Sequence, residues 1–468
     1  MIMRKQLPGL PPDVTPKQPV DVITQVREYE LITPLFGGGV TTKKADPVTI
    51  IRVTEIRGQL RFWWRACRGG QNKFEGSPIK MKKEEDIIWG AAYKKGKPTI
   101  PSEQTIQISA VVDPSRQVTE VKPFNIVPGE DGQNQSRPNW KSRIPTYAAF
   151  PLQLTQDELQ QDKPQPNVVS DNVYFTLTIS FHRNNKEDVE AALWAWETFG
   201  GLGARTRRGF GALRCISIKE NEHPLTVDLP PGEQGTVQKW IQSRLKRYVV
   251  DGVWANTVPH LNRNGGAFKV ISRESSSDPF ASWNDLIDSL KNFRQTRYPS
   301  KNPKAKNPGQ SLWSEPSAIR QRTGQSLPAH KNPIPDPLIS KFPRAAFGLP
   351  IIFKFKDNKK YKLNDRDSDP RKTILQLKTS ERFASPLILK PISCQRGIYV
   401  GLALILEGTR LDEDQLILKT QEGVPDEWDN LKSSFDQGEV LVIANQSPAS
   451  QIQIDHNTNP LQAFLRYL

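Results

Sequence analysis

Apolar and polar positions alternate most regularly over residues 173–181, where Val173, Phe175, Leu177, Ile179 and Phe181 interleave with Tyr174, Thr176, Thr178 and Ser180. A period of two sends successive side chains to opposite faces, so this run predicts a strand with one face on a core. The period then changes. Val189, Leu193, Trp196 and Phe199 recur at helical spacing, with Asn185 and Asp188 resembling a capping box at the start. A strand follows at 211–218. Upstream, 26–33 reads as a strand stopped by Pro34. Ile56, Leu60, Trp63 and Cys67 recur every three or four residues and predict a helix over 55–68 capped by Thr54. With a strand at 105–112, the order is strand, helix, strand, strand, helix, strand, that of the ferredoxin-like or RRM-like unit.

Residues 1–24 are Pro-rich and polar and read as an N-terminal arm. The first domain then spans 25–225, with an irregular insertion at about 70–170 rich in Pro, Gly and Lys. Past a joint near 230–235, the second domain runs over 226–468. It has two amphipathic helices, on Val237, Trp240, Ile241, Leu245 and Tyr248, and on Phe280, Trp283, Ile287, Leu290 and Phe293. Strands are expected at 347–355, 383–391, 399–406 and 440–444, and a helix through Val424, Trp428, Leu431 and Phe435. The expected fold is α+β, two tandem ferredoxin-like (RRM-like) domains with long insertions.

Charge narrows the function. The 65 Lys and Arg outnumber the 50 Asp and Glu, a net charge of +15, which calls for an acidic partner, nucleic acid before an anionic membrane. The longest apolar run, 398–406, falls short of the roughly 18 residues of a spanning helix. The N-terminus lacks the apolar core of a secretory signal. Cys67, Cys215 and Cys394 lie far apart, and His182, His223, His260, His330 and His456 never pair at metal-ligand spacing. The chain reads as soluble and cytoplasmic, without metal, cofactor or small-molecule substrate. Residues 291–344 carry eleven Lys and Arg against two acids, Glu315 and Asp336, with few apolar side chains. Such a segment is expected either to order on an anion or merely to solubilise the chain.

The densest candidate chemistry is at 200–211, Gly-Gly-Leu-Gly-Ala-Arg-Thr-Arg-Arg-Gly-Phe-Gly. Glycine lets a ligand approach the backbone, and arginine offers a planar fork that fits phosphate. Gly201, Gly203, Arg205, Arg207 and Arg208 are therefore candidate contacts to a polyphosphate chain. The stretch is neither of the usual nucleotide-binding loops. Thr206 stands where a third glycine belongs, no Gly-Lys-Ser/Thr closes it, and it runs from helix to strand. A plain glycine-rich helix stop is the competing account. Arg57, Arg61, Arg65 and Arg68 recur beside the apolar stripe of 55–68, with only Glu55 within a turn. That row reads as an anion-binding face or, more ordinarily, a solvated one. Gly37, Gly38 and Gly39, followed by Lys43 and Lys44, complete a set expected to converge as a cationic track.

Residues 31–39, Leu-Ile-Thr-Pro-Leu-Phe-Gly-Gly-Gly, followed by 55–65, Glu-Ile-Arg-Gly-Gln-Leu-Arg-Phe-Trp-Trp-Arg, resemble the opening of a RAMP superfamily protein. The resemblance is to the first-numbered subunit of type III-B (Cmr) CRISPR effector complexes. Residues 199–213 resemble the superfamily's glycine-rich loop. Arg382 to Leu387 with Lys390 resemble a strand motif of that subunit's second domain, and Tyr147-Ala-Ala-Phe-Pro151 also fits its pattern. The resemblance implies a non-catalytic antiviral subunit that contacts crRNA toward its 3′ end, helps capture target RNA and assembles with sister Cmr subunits. Its basic surface would fall on Lys43, Lys44, Arg57, Arg61, Arg65, Arg205, Arg207, Arg208, Arg382 and Lys390, with Trp64 either stacking on RNA or packing at a domain joint. Two other readings stand beside it. One is an endoribonuclease, with Asp46 in the loop before the first helix or His182 at a strand end as the acid or base. The other is an architectural cap without RNA contact.

Overall fold

The computed structural model describes residues 21–37, 46, 49–91, 105–130, 132–161, 169–298, 310–327, 338–355, 366, 368–370, 372–380, 382–408, 411, 416–420, 428–444 and 451–468. Most of the N-terminal arm, and Gly38, Gly39, Lys43 and Lys44, lie outside them.

The alternating run at 173–181 becomes β3 (Tyr174–His182), paired antiparallel with β1 (Val22–Leu31) on one side and β2 (Gln107–Val112) on the other. On its far side β1 pairs antiparallel with β4 (Leu213–Glu220), giving the order β4-β1-β3-β2, and His223–Leu225 extends the edge beyond β4. Helices α1 (Val53–Arg68) and α3 (Lys186–Phe199) pack on each other over the sheet. Counting strands along the chain, the order is 4-1-3-2 with a helix in each crossover. The periodic positions explain it: Phe175, Leu177, Ile179 and Phe181 of β3 and Ile56, Leu60, Trp63 and Cys67 of α1 share one core. Burying each large apolar side chain contributes about 1.5–3 kcal/mol.

Two local expectations fail. Helix α1 begins at Val53, so Thr54 lies inside it; Arg52 takes the N-cap position with no side-chain cap bond. Asn185 likewise makes no cap bond for α3, because a 3-10 turn over Arg183–Asn185 leads the chain in. The insertion also holds a helix that the pattern did not disclose, α2 (Pro78–Trp89), capped by Ser77 and packed against α1.

The second half contains α4 (Gln234–Tyr248), β5 (Phe268–Ser276), α5 (Pro279–Arg294), β6 (Leu387–Ser393) and β7 (Tyr399–Ile405), with sheet order β5-β7-β6. Among the described residues no fourth strand joins this sheet. Ile351–Phe353, Thr373–Leu377 and Leu416–Lys419 form a separate sheet, and Val440–Ala444 pairs with Gln451–Asp455 before a final helix, Pro460–Tyr467. The helix expected through Trp428, Leu431 and Phe435 is absent from its described part: Leu431 bridges to Leu416, and Trp428 packs with that small sheet. Architecture is α+β throughout.

Strand β6 joins the halves. Every residue of it is buried. Ile388 and Ile392 enter the core of the first sheet, whereas Leu387 and Leu389 enter the core around α5. A strand buried on both faces reads as an unbroken apolar run, as this one does except at Lys390 and the terminal Ser393.

Candidate nucleic-acid interface

The 200–211 loop leaves α3 and turns back into β4 along the seam between the halves. Its glycines answer to packing. A Cβ on Gly211, at φ +60°, would lie 1.9 Å from the Leu202 carbonyl oxygen. One on Gly201 would meet the Gly211 carbonyl, one on Gly203 the Phe36 carbonyl, and one on Gly209 the Trp283 indole of α5. The loop's amides are largely engaged as well. Leu202 N–H donates to Gly211 (3.0 Å), Ala204 to Phe36 (2.9 Å) and Gly211 to Pro34 (3.0 Å), while Gly203 N–H donates to the Glu55 carboxylate. Glu55, at the start of α1, is pushed up from the ordinary carboxylate range by burial, against the pull of that amide. The backbone cradle expected for phosphate is thus filled by the protein itself.

The loop's arginines behave differently. Arg207 donates to the Ser385 carbonyl and lies over the Phe62 ring. Arg208 donates to the carbonyls of Leu387 (2.7 Å) and Phe347 (3.3 Å), and its own carbonyl accepts from Trp283 Nε1 (2.6 Å). Arg205, in the left-handed region at φ +60°, sets its guanidinium 5.1 Å from the Phe150 ring centroid, and its Nε is buried without a partner. None of the three pairs with a carboxylate among the described residues. Burial lowers all three, Arg205 to about 10 and Arg208 to about 9, the latter also through repulsion from Arg205 and Arg294.

Three of the four arginines on α1 are paired with acids, which corrects the expectation of an unbalanced face. Arg61 meets Glu85 (2.5 Å) and Asp86 (3.2 Å), and Arg65 meets the same Glu85 oxygen (2.7 Å). Arg57 donates to the carbonyls of Trp89 (2.7 Å) and Ile106 (3.2 Å), and Arg68 pairs with Asp188 and Glu187. The balancing acids come from α2 and α3, remote in sequence. Trp64 is fully buried, its Nε1 donating to Asp188 (2.8 Å), and so packs rather than stacks.

Lys390 is buried too. Its ammonium donates to the carbonyls of Gly200 (2.8 Å) and Glu197 (3.0 Å) at the C-terminus of α3. Arg382 is exposed, and Gly37, at φ +73°, has open space around it. Asp46 accepts from the Thr49 amide (3.1 Å) and pairs with Arg52 (2.8 Å); His182 Nδ1 accepts from the Asn184 amide (3.3 Å). Both do the work of turn residues. The described part of 291–344 is folded and paired: Trp313 is fully buried, Arg344 meets buried Glu315 (3.0 Å), and Lys341 meets Asp436 and Glu439. No cluster among the described residues could hold a metal ion, and no helix there is long and apolar enough to cross a membrane.

Residues 28–214, from β1 into β4, match the model of the RAMP superfamily. Over this segment the chain is similar to that superfamily. Over 209 residues, 41% of this chain and 95% of the relative, the sequence is 23% identical to the CRISPR system Cmr subunit Cmr1-2 of Pyrococcus furiosus. The 31–39 and 55–65 motifs both lie within the residues that match the superfamily model. Among solved structures, apo Cmr1 from Pyrococcus furiosus aligns over 84% of this chain and 93% of its own, at 16% identity and a TM-score of 0.42. A chain of the type III-B Cmr-beta complex bound to cognate target RNA aligns over 87% and 97%, at 14% identity and a TM-score of 0.45.

Proposed function

We propose that the chain is a non-catalytic RNA-binding subunit of a type III-B CRISPR ribonucleoprotein. It contacts crRNA toward the 3′ end of the guide, helps capture target RNA, and has sister Cmr subunits as partners. The observation that carries this reading is the RAMP domain match together with the relative named as a Cmr subunit. Charge agrees, at +15. In this reading the second half is a further ferredoxin-like unit, built on β5, α5, β6 and β7 and interrupted by long excursions.

The candidate contacts divide by what already holds them. Arg61 and Arg65 share the Glu85 carboxylate, Lys390 is wholly buried, and Arg57, like Arg207 and Arg208, donates to backbone carbonyls. Arg205, Arg207, Arg208 and exposed Arg382 remain without carboxylates among the described residues, and we assign the phosphate contacts to them, with Lys43 and Lys44 in the loop beyond Gly37. Guanidiniums on a sugar–phosphate spine accept any guide, because base pairing supplies the specificity.

Titration with single-stranded RNA at several salt concentrations tests the reading. Affinity falls steeply with salt, with a log–log slope of about −0.7 per phosphate engaged. Replacing Arg205, Arg207 and Arg208 together with Gln weakens binding and flattens that slope; an unchanged affinity removes the loop from the interface. Incubation with crRNA precursor and target RNA, with and without Mg²⁺, gives no product. Cleavage abolished by Asp46→Ala or His182→Ala would replace this reading with an endoribonuclease.

A further inference from the structure

Beyond the 200–211 loop, three parts of the chain meet around one phenol. Tyr147, in the short helical turn Thr146–Ala149, accepts a hydrogen bond from Arg294 Nη1 (3.1 Å) at the C-terminal end of α5. Arg205 lies over the Phe150 ring three residues along, and repulsion from both Arg205 and Arg294 helps to lower Arg208. The Nε atoms of Arg205 and Arg294 are both buried without an acceptor. The carboxylate nearest in influence, Glu315, already binds the Arg344 amide and guanidinium. Buried guanidinium donors left unsatisfied call for an acceptor. Beside them, Phe150 is 57% exposed although the Arg205 guanidinium lies over its ring. An aromatic ring so placed is a platform on which a nucleobase stacks.

We propose that Arg205, Arg294, Tyr147 and Phe150 form a socket for one nucleotide of single-stranded RNA, its phosphate on the guanidiniums and its base on the exposed part of the Phe150 ring. The proposal rests on the RNA-binding reading and deepens it, because it names one seat in the seam and gives the insertion a part in it. The segment 143–150 is held for the task by α5: Asn284 donates to the Arg143 carbonyl (3.0 Å), and the Arg143 guanidinium lies over Phe280 and pairs with Asp278. A bound phosphate meets the guanidinium ends of Arg205 and Arg294 and offsets the repulsion that both exert on Arg208. The base, held only by stacking, can be any of the four.

The test uses the full chain and two fluorescein-labelled oligomers of equal length, one ordinary single-stranded RNA and one abasic throughout. Phe150→Ala, a surface change that leaves the core intact, weakens the ordinary oligomer about tenfold and the abasic one not at all. Arg205→Gln and Arg294→Gln weaken both. Equal loss for both oligomers in Phe150→Ala, or no loss for either, overturns the socket while leaving RNA binding in place. Calorimetry with uridine 3′-monophosphate separates the socket from the wider reading. Its binding to the wild-type chain and loss in Arg205→Gln, with no affinity for either oligomer, would keep a nucleotide site and discard the RNA subunit. Binding of none of the three probes overturns both. Tighter binding of a 3′-phosphorylated than of a 3′-hydroxyl oligomer marks a terminal phosphate as the occupant; equal binding marks an internal one.

Discussion

Lys390, in the middle of β6, donates its ammonium to the carbonyl oxygen of Gly200 at 2.8 Å, closing the C-terminus of α3 from the other half of the chain. Period-two geometry explains the direction, since Lys390 lies on the same face of β6 as Ile388 and Ile392, which enter the core of the first sheet. The cation suits a helix C-terminus.

Burial pushes Lys390 down to about 7, against the attraction of Glu197, whereas an unfolded lysine titrates near 10.5. Between those values the unfolded chain binds more protons, so stability rises with pH from about 7 toward 10, by at most about 1.4 kcal/mol per pH unit. Denaturant unfolding between pH 6.5 and 9.5 reads this slope. Lys390→Met flattens it, and a slope unchanged in that variant would assign the effect to another group.

Removing Glu85 leaves Arg61 and Arg65 without their shared carboxylate in a half-buried site. Arg65 then has no carboxylate among the described residues and Arg61 keeps only Asp86, so Glu85→Ala costs about 1–3 kcal/mol and lowers the thermal midpoint. A variant that melts within a degree or two of the wild type would show that these pairs are only superficial.

Gly211→Ala places a methyl group 1.9 Å from the Leu202 carbonyl oxygen at φ +60°. It destabilises the fold by about 3 kcal/mol or more. Gly37→Ala, strained in backbone at φ +73° but with nothing within 4 Å, costs about 1–2 kcal/mol. Urea midpoints of the two variants rank them, and the reverse ranking would refute the packing account of the loop.

Cys67, Cys215 and Cys394 are buried and unpaired, and desolvation pushes all three thiols up, Cys394 to about 12. The thiolate is the reactive form, so the native protein resists iodoacetamide while the denatured one takes up three equivalents. Labelling of the native chain within minutes at pH 7.5 would contradict this burial.

What could be read from the sequence followed the range of the interaction. Strand β3, α1, α3 and α5 announced themselves, because a period of two or 3.6 is written in neighbouring residues. The partners of the α1 arginines were not legible: Glu85 lies 24 residues from Arg61 and becomes adjacent only once α2 folds back. Helix α2 itself was hidden because its KMKKEED run breaks the apolar stripe. The 200–211 loop stood out in the sequence, but composition cannot tell a glycine required by a neighbouring carbonyl from one required by a ligand. Tyr147 and Phe150 were visible only as part of a resemblance, and Arg294 only as one of the eleven basic residues of 291–344.

The fit of Gly201, Gly203, Gly209 and Gly211 against Phe36, Leu202 and Trp283 bears on how such a signature evolves. Side chains are barred from these positions by the fold's own atoms, so any sequence that keeps this packing must keep glycine there, whatever it binds.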